Sequence, residues 1–190
     1  MAKPPIHMLK ATFHVEHALG EIEKHPELWN HYTHRTFAYG PHRSVDDIWV
    51  RYNDFDKYEG NPDFFAGEHD SVWYPDTAKI PAVKELCLDL MAEVRGERLG
   101  GVLITRIPPG GGVGPHVDQG WHARYYDKFA IQLMGHPDQA FCFADHQLSA
   151  MPGQCYTFDN SQEHWVTNAS NVPRMTLICC VRGANCVELA

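Results

Sequence analysis

A chain of 190 residues with 44% apolar and 21% charged residues is long enough to bury one sizeable core and has the balance of an ordinary globular protein. Its formal net charge of −8, with Lys and Arg scattered along the chain, argues against a nucleic-acid surface, which needs clustered basic groups to neutralise phosphates. No apolar run reaches bilayer length, and the opening MAKPPIHMLKATFH lacks the apolar stretch of a secretory signal, so a cytoplasmic protein without membrane contact is expected. The six cysteines, Cys87, Cys142, Cys155, Cys179, Cys180 and Cys186, form no C-x-x-C pair and are expected to be reduced core residues. For want of an export signal, Asn168-Ala169-Ser170 is not read as a glycosylation site.

Taken in chain order, residues 10–32 carry helix-compatible apolar spacing that Pro26 divides. Residues 45–52 (VDDIWVRY) alternate as a strand, with Ile48, Val50 and Tyr52 on one face and Trp49 and Arg51 on the other. The Asp-, Gly-, Pro- and aromatic-rich stretch 53–80 reads as irregular. Residues 81–96 predict a helix: Pro81 suits the first turn, Val83, Leu86, Leu90 and Met91 form an apolar stripe, and Gly96 is a stop. From residue 99 the pattern becomes short strands, at 101–107, 115–118, 128–134, 140–144, 154–158, 163–167 and 174–182, separated by the turn sequences PPGGG, GHPD, MPG, DNSQ and NASN. Strands this short at such regular spacing predict a β-sandwich or barrel, here with helical support from the front half.

Two His-x-Asp pairs fall in this β half. With 13 His in the chain, roughly one such pair is expected by chance, so the spacing alone decides nothing. His136-Pro137-Asp138 follows Gly135 between two apolar strands, and its Pro and Asp are turn formers; it reads as a hairpin loop. His116-Val117-Asp118 instead follows the rigid corner PPGGGVGP at a strand start. Residues two apart in a strand share a face, so His116 and Asp118 project together. A loop rich in polar and aromatic residues, 119–127, follows and is placed to cover a pocket.

A facial two-His, one-carboxylate site leaves open positions on Fe(II) and needs one more ligand. His122, His136, His146 and His164 are candidates. His164 is preferred, because it opens a late strand that a barrel brings back beside the first ones. Ten residues on, Arg174 starts the last apolar strand, sharing a face with Thr176, Ile178 and Cys180, while Met175, Leu177, Cys179 and Val181 lie opposite. A buried guanidinium must be paired. Its partner is either a dicarboxylate ligand, held bidentately, or a structural carboxylate such as Asp159 or Glu163.

The segments ITRIPPGGGVGPHVD (104–118), KFAIQL (128–133), MPGQCYTFDNSQEHWVTN (151–168) and RMTLICCV (174–181), with HRSVDDIWVRY (42–52) ahead of them, resemble the aspartyl/asparaginyl β-hydroxylase-like branch of the Fe(II)/2-oxoglutarate-dependent dioxygenases. The block FDN-x-x-x-H followed after about ten residues by Arg is the most specific element. The first forty residues match only loosely. The resemblance implies a double-stranded β-helix in which His116, Asp118 and His164 bind Fe(II) and Arg174 binds the distal carboxylate of 2-oxoglutarate. It further implies oxygen-dependent hydroxylation of an unactivated C–H in an amino acid or peptidyl residue of the Asp, Asn or Pro kind, with 2-oxoglutarate leaving as succinate and CO2. Some members of this branch carry Gly in place of the Asp; with Asp118 the triad here is complete. Relatives often place a basic or His side chain on the strand after the His-x-Asp loop to help hold the co-substrate; here that strand offers Lys128 and Gln132, and for Lys128 a solvated surface position is the competing reading.

One domain is expected over 1–190, with 1–98 as helical and strand support and 99–190 as the β-helix core. Arg51, Trp121, Arg124 and Trp165 are candidate contacts for a small-molecule or peptide substrate, the arginines for its carboxylate. The rival readings are a non-catalytic cupin-like binding module, a cupin isomerase with more His ligands, and a dioxygenase acting on another small metabolite or a nucleobase. The substrate, the carbon hydroxylated and the oligomeric state are not legible in the sequence.

Overall fold

The structure, a computed structural model, describes residues 5–33, 35, 40–54, 57 and 67–184. Its elements are β1 (Ile6–Thr12), α1 (Glu16–Lys24), a 3-10 turn (Pro26–Leu28), β2 (Asp46–Tyr52), β3 (Val72–Trp73), a second 3-10 turn (Pro75–Lys79), α2 (Pro81–Glu93), β4 (Arg98–Ile107), β5 (Gly112–His116), a short α3 (Trp121–Tyr125), β6 (Asp127–Met134), β7 (Gln139–Cys142), β8 (Gln147–Leu148), β9 (Gln154–Phe158), β10 (His164–Asn168) and β11 (Arg174–Arg182). A seven-stranded sheet in the order β1-β9-β6-β11-β4-β2-β3 faces a four-stranded sheet in the order β5-β10-β7-β8, with antiparallel pairing throughout. This is the double-stranded β-helix that the family resemblance implies. No helix among the described residues is long and apolar enough to cross a membrane.

Strand alternation divides the larger sheet into two working faces. From β11, Met175, Leu177, Cys179 and Val181 enter a core with Val102 and Ile104 of β4, Phe129, Ile131 and Leu133 of β6, and the apolar stripes of α1 and α2. The helices exist in order to cover that face: Ala18 and Ile22 of α1 and Val83, Leu86, Cys87 and Leu90 of α2 are all buried in it. The opposite face turns to the smaller sheet. There Ile107, Ala130, Tyr156 and Phe158 meet Val113, Phe141 and Val166 in a second core that fills one end of the barrel and leaves the other open.

Three expectations need correction. Residues 10–12 are the end of strand β1, not the start of a helix, and α1 begins only at Glu16. The strand adds to β9 in the register Ile6–Phe158, His7–Thr157 and Met8–Tyr156. Pairing the otherwise open edge of β9 outweighs the weak local helical spacing. The stretch 53–80 holds a short strand and a 3-10 turn within its described part, and residues 55–56 and 58–66 lie outside the described residues, as does Cys186. Finally, Tyr52 does not share the face of Ile48 and Val50. Between Trp49 and Arg51 strand β2 advances two residues while its partner β4 moves one, from Leu103 to Val102. This β-bulge reverses the alternation, so the Trp49 and Tyr52 rings lie on one side, 5.1 Å apart.

The five described cysteines are free and buried, as expected. Asn168, the glycosylation-like residue, is 2% exposed, and its amide donates to the carbonyls of Ile107, Pro108 and Val172, which ties β10 to the corner after β4.

The pairing of β5 with β10 sets His116 directly opposite His164. Gly112 begins that ladder, and a Cβ there would sit 2.5 Å from the Val166 carbonyl oxygen; at Gly114, two residues on, a Cβ would meet nothing closer than Pro41 Cα at 4.0 Å. Gly112→Ala is therefore expected to cost about 1–3 kcal/mol, the usual range for overpacking, and Gly114→Ala less than 1 kcal/mol, as measured by chemical denaturation. Equal costs for the two would show that the close approach of β5 to β10 is not what excludes a side chain at residue 112.

Candidate metal centre

Each side chain of the centre owes its position to a strand end. His116 is the last residue of β5, Asp118 follows two residues later, and His164 is the first residue of β10. One ligand atom from each lies within 4.8 Å of the other two, and His116 Nε2 is 3.7 Å from Asp118 Oδ1. Among the described residues no other three His, Cys, Asp or Glu side chains converge in this way. His122, His136 and His146 do not join them: His122 Nε2 accepts from Gly101 N–H at 3.2 Å, His136 lies in the turn before β7, and His146 is exposed between β7 and β8.

The donors are prepared for an ion by their outer partners. His116 Nδ1 is 2.8 Å from the Gly114 carbonyl and His164 Nδ1 is 2.9 Å from the Gln162 carbonyl. A carbonyl only accepts, so each Nδ1 carries the proton and each Nε2 presents its lone pair to the site. Burial, opposed by the Gln162 carbonyl and Asp118, lowers the His164 pKa below the usual imidazole value, so it stays neutral and able to ligate. Burial by itself would raise the Asp118 carboxyl, but the Lys128 ammonium, helped by His164 and His116, overrides it and holds the group at about 2. The Lys128 ammonium bonds Asp118 Oδ2, which leaves Oδ1 on the side of His116. Lys128 is thus partly buried and engaged by Asp118, not a solvated surface lysine. An imidazole pair with aligned lone pairs and one ionised carboxylate is a donor set suited to a divalent first-row metal.

A cavity runs from these ligands into the barrel, lined by Thr105, Ile107, Ala130, Phe141, Tyr156 and Val166, with Arg174 and Thr176 in its wall. Arg174 is 5% exposed. It donates through Nη1 to Thr176 Oγ1 at 2.7 Å and through Nη2 to Tyr156 Oη at 2.8 Å. Neither Asp159 nor Glu163 pairs with it, and no carboxylate among the described residues lies within ion-pair distance. Burial raises the Tyr156 phenol, against the pull of Arg174, so it remains a neutral O–H donor. Gln132 is fully buried and does not line the cavity. Its Nε2 donates to the Met134 and Met175 carbonyls, and its Oε1 accepts from Thr176 Oγ1 at 3.4 Å, so it braces Thr176 and through it Arg174.

A second chamber of about 280 Å³ opens on the other side of Asp118 and Lys128. Two residues that sequence reasoning did not single out stand between the cavities. Arg35 holds Asp47 through Nε and Nη2 at 2.8 and 2.9 Å, and Asp47 also accepts from Thr105. His42 meets His116 edge to face at 4.8 Å, and burial, with Arg35 next, pulls its pKa down to about 2. Both are long-range neighbours of the site; no local pattern marks them.

The four proposed substrate contacts fare unevenly. The bulge in β2 turns Arg51 over the Trp73 ring at 5.0 Å, with its guanidinium on the Leu99 carbonyl, away from both cavities. Trp121 is packed among His69, His122, Tyr125 and Tyr126, where it holds α3 in place without lining either cavity. Trp165 follows His164 on β10 and pairs with Cys142, on the opposite face. Arg124 is exposed on α3 and lines a separate outer cleft with Asn160, Ser161 and Arg182 that reaches Asp118 from outside.

Comparison with known proteins places this geometry. The family model described as aspartyl/asparaginyl beta-hydroxylase matches residues 60–183. A comparison with curated protein sequences finds no match. Among solved structures, an oxidoreductase of the 2OG-Fe(II) oxygenase family from Burkholderia pseudomallei is similar with a TM-score of 0.61 at 13% identity, over 95% of this chain and 86% of that one. A prolyl-4-hydroxylase from Pseudomonas putida is similar with a TM-score of 0.52 at 14% identity, over 94% of this chain and 92% of that one. At these identities the two structures speak for the shared fold, and the family model, which spans most of the chain, speaks for descent. By that match the chain is a member of the aspartyl/asparaginyl β-hydroxylase family.

Proposed function

We propose that the protein is an Fe(II)- and 2-oxoglutarate-dependent hydroxylase, with His116, Asp118 and His164 as iron ligands and Arg174 as the anchor of the distal carboxylate of 2-oxoglutarate. The observation that carries this reading is the buried guanidinium of Arg174, which among the described residues is met only by two neutral hydroxyls and which faces a cavity that ends at the metal-ligand cluster. A buried cation without a counter-ion is costly, and a dicarboxylate that reaches from Arg174 to the metal supplies one. Tyr156 and Thr176 add neutral groups at the same end. When bound, iron and 2-oxoglutarate together supply the oxidising power: one atom of O2 enters succinate as CO2 leaves, and the other enters the substrate C–H.

The remaining tasks belong to the chain. Gly114 and Gln162 carbonyls hold both imidazoles in the ligating tautomer. Lys128 engages Asp118 Oδ2 and leaves Oδ1 on the side of His116, where it would be available to a metal. Ile107, Phe141, Phe158 and Val166 keep water from the co-substrate end of the cavity. A cupin-like binding module needs no buried dicarboxylate anchor, so Arg174 weighs against that reading. The substrate is an amino-acid side chain, free or in a peptide.

Anaerobic addition of Fe(II) and then 2-oxoglutarate is expected to give the visible charge-transfer band of the chelate, and admitting oxygen to give succinate. His116→Ala is expected to lose both. No band and no succinate from the folded wild-type protein would sink the proposal. A second expectation separates the two cations. Arg174→Met should weaken 2-oxoglutarate binding by about 100-fold or more, the scale of losing one partner of a buried charge pair. Lys128→Met should weaken it less than tenfold, since Lys128 is engaged by Asp118. The reverse order would transfer the anchor role to Lys128.

A further inference from the structure

The second chamber adjoins the metal centre through Arg35, His42, Asp118, Lys128 and Ile178, which line both cavities. With the deeper cavity assigned to 2-oxoglutarate, a substrate reaches the metal from this side. The charge state and wall chemistry of the chamber therefore bear on what the enzyme accepts, an inference that rests on the hydroxylase reading.

Two cations border the chamber, and both are already neutralised. Arg35 is bound bidentately by Asp47, whose carboxylate is fully buried, and also donates to Thr105 Oγ1. Lys128 is bound by Asp118. No other Lys or Arg among the described residues lines the space, and outside the described set the sequence holds a single Lys or Arg, Lys3. The remaining wall is uncharged. Trp49 and Tyr52 come from β2, Val102 and Leu103 from β4, and Ile178 and Cys180 from β11. His122 accepts from Gly101 N–H, and its burial pulls it down to about 3, so it is a neutral ring at physiological pH. Burial pushes the Cys180 thiol up to about 11, so it too stays neutral.

The shape follows from the same strands. The β2 bulge places Trp49 and Tyr52 together on the chamber side. Gly101 lets the Tyr52 and His122 rings close over the strand, since a Cβ there would come within 3.0 and 3.2 Å of them. The exposed Gln119 stands at the rim. An ionised side chain in this chamber would lose its hydration and find no unpaired Lys or Arg among the described lining residues in exchange, whereas an apolar one would gain by leaving water.

We propose that this chamber receives an uncharged, apolar side chain of the substrate and excludes a carboxylate, so that the protein hydroxylates aliphatic, cyclic or aromatic residues and not aspartate.

The test uses N-acetyl N-methylamide derivatives of Leu, Phe, Pro, Asn and Asp, titrated calorimetrically into the full chain, with and without Fe(II) and 2-oxoglutarate under nitrogen. Binding led by a Leu, Phe or Pro probe, at least tenfold tighter than Asp, is the expected result. Binding led by Asp or Asn, or none of the five binding while the visible band forms, overturns the chamber proposal. An apolar preference without the band would sink the iron reading and leave the chamber standing, so the two failures are distinct. As a second check, Leu103→Lys, confirmed as folded by circular dichroism, introduces a cation into the wall and should reverse the order in favour of the Asp probe. An unchanged apolar preference in folded Leu103→Lys would show that selection occurs elsewhere and overturn the proposal.

Discussion

Arg174 enters the interior at the first residue of β11 with two neutral hydroxyls as its only hydrogen-bond partners among the described residues, and burying a guanidinium without a counter-ion is costly. Three strands contribute to holding it. Thr176 is its neighbour two residues along β11, Tyr156 reaches it from β9, and Gln132 of β6, its own amide tied to the Met134 and Met175 carbonyls, accepts from Thr176 Oγ1. The guanidinium is thus immobilised before any ligand arrives, and its remaining donors are oriented in advance. A site built in this way loses little conformational freedom when a carboxylate binds, which is where the affinity of a preorganised pocket comes from.

The period of the β-strand does the rest. β11 alternates between two environments along its whole length: Met175, Leu177, Cys179 and Val181 serve the helix-covered core, while Arg174, Thr176, Ile178 and Cys180 serve the two cavities. β4 and β6 repeat the division, with Thr105, Ile107, Lys128 and Ala130 on the functional side. Stability and function are therefore separated by one residue of register, and a slip of one would exchange an apolar core for a charged one. The closely packed helices α1 and α2 fix that register from behind.

This alternation also explains how much of the site was legible in advance. Arg174 with Thr176, Ile178 and Cys180 follows from counting by twos, but Asp118 lies beyond the end of β5, which runs from Gly112 to His116 and not over 115–118, so strand alternation does not set it beside His116. His136-Pro137-Asp138 is a turn that carries the chain from β6 in one sheet to β7 in the other, not the hairpin expected. His164 lies across the ladder from His116, but barrel closure brings it there, and counting within one strand does not supply that. Counting failed where the backbone breaks period. The bulge after Trp49 moved Tyr52 into the chamber and Arg51 out of it, and nothing in VDDIWVRY announces an extra residue. Strand β1 escapes local patterning for the complementary reason: its identity depends on the open edge of β9, some 150 residues away in the chain, while the spacing from residue 10 onward suits a helix. Arg35 and His42 were invisible because their roles come from contacts with Asp47, Thr105 and His116 across the fold.

The charges around the centre are arranged so that each fixed one has a single task. Asp47 neutralises Arg35 and Lys128 neutralises one oxygen of Asp118, which leaves Arg174 as the cation of the deeper cavity without an anion among the described residues. Such a pattern discriminates by position. An anion is favoured at the Arg174 end and disfavoured in the chamber, so a ligand with two carboxylates separated by a short chain is drawn inward, and an uncharged group is left to occupy the outer space. The same logic accounts for neutral imidazoles at His122 and His164: protonation of either would place a cation in the wrong compartment and weaken the distinction between the two ends. Under the proposed assignment, selectivity between co-substrate and substrate would need no moving part, because the two cavities share a wall at Asp118 and Lys128 and differ in the unpaired side-chain charge they offer.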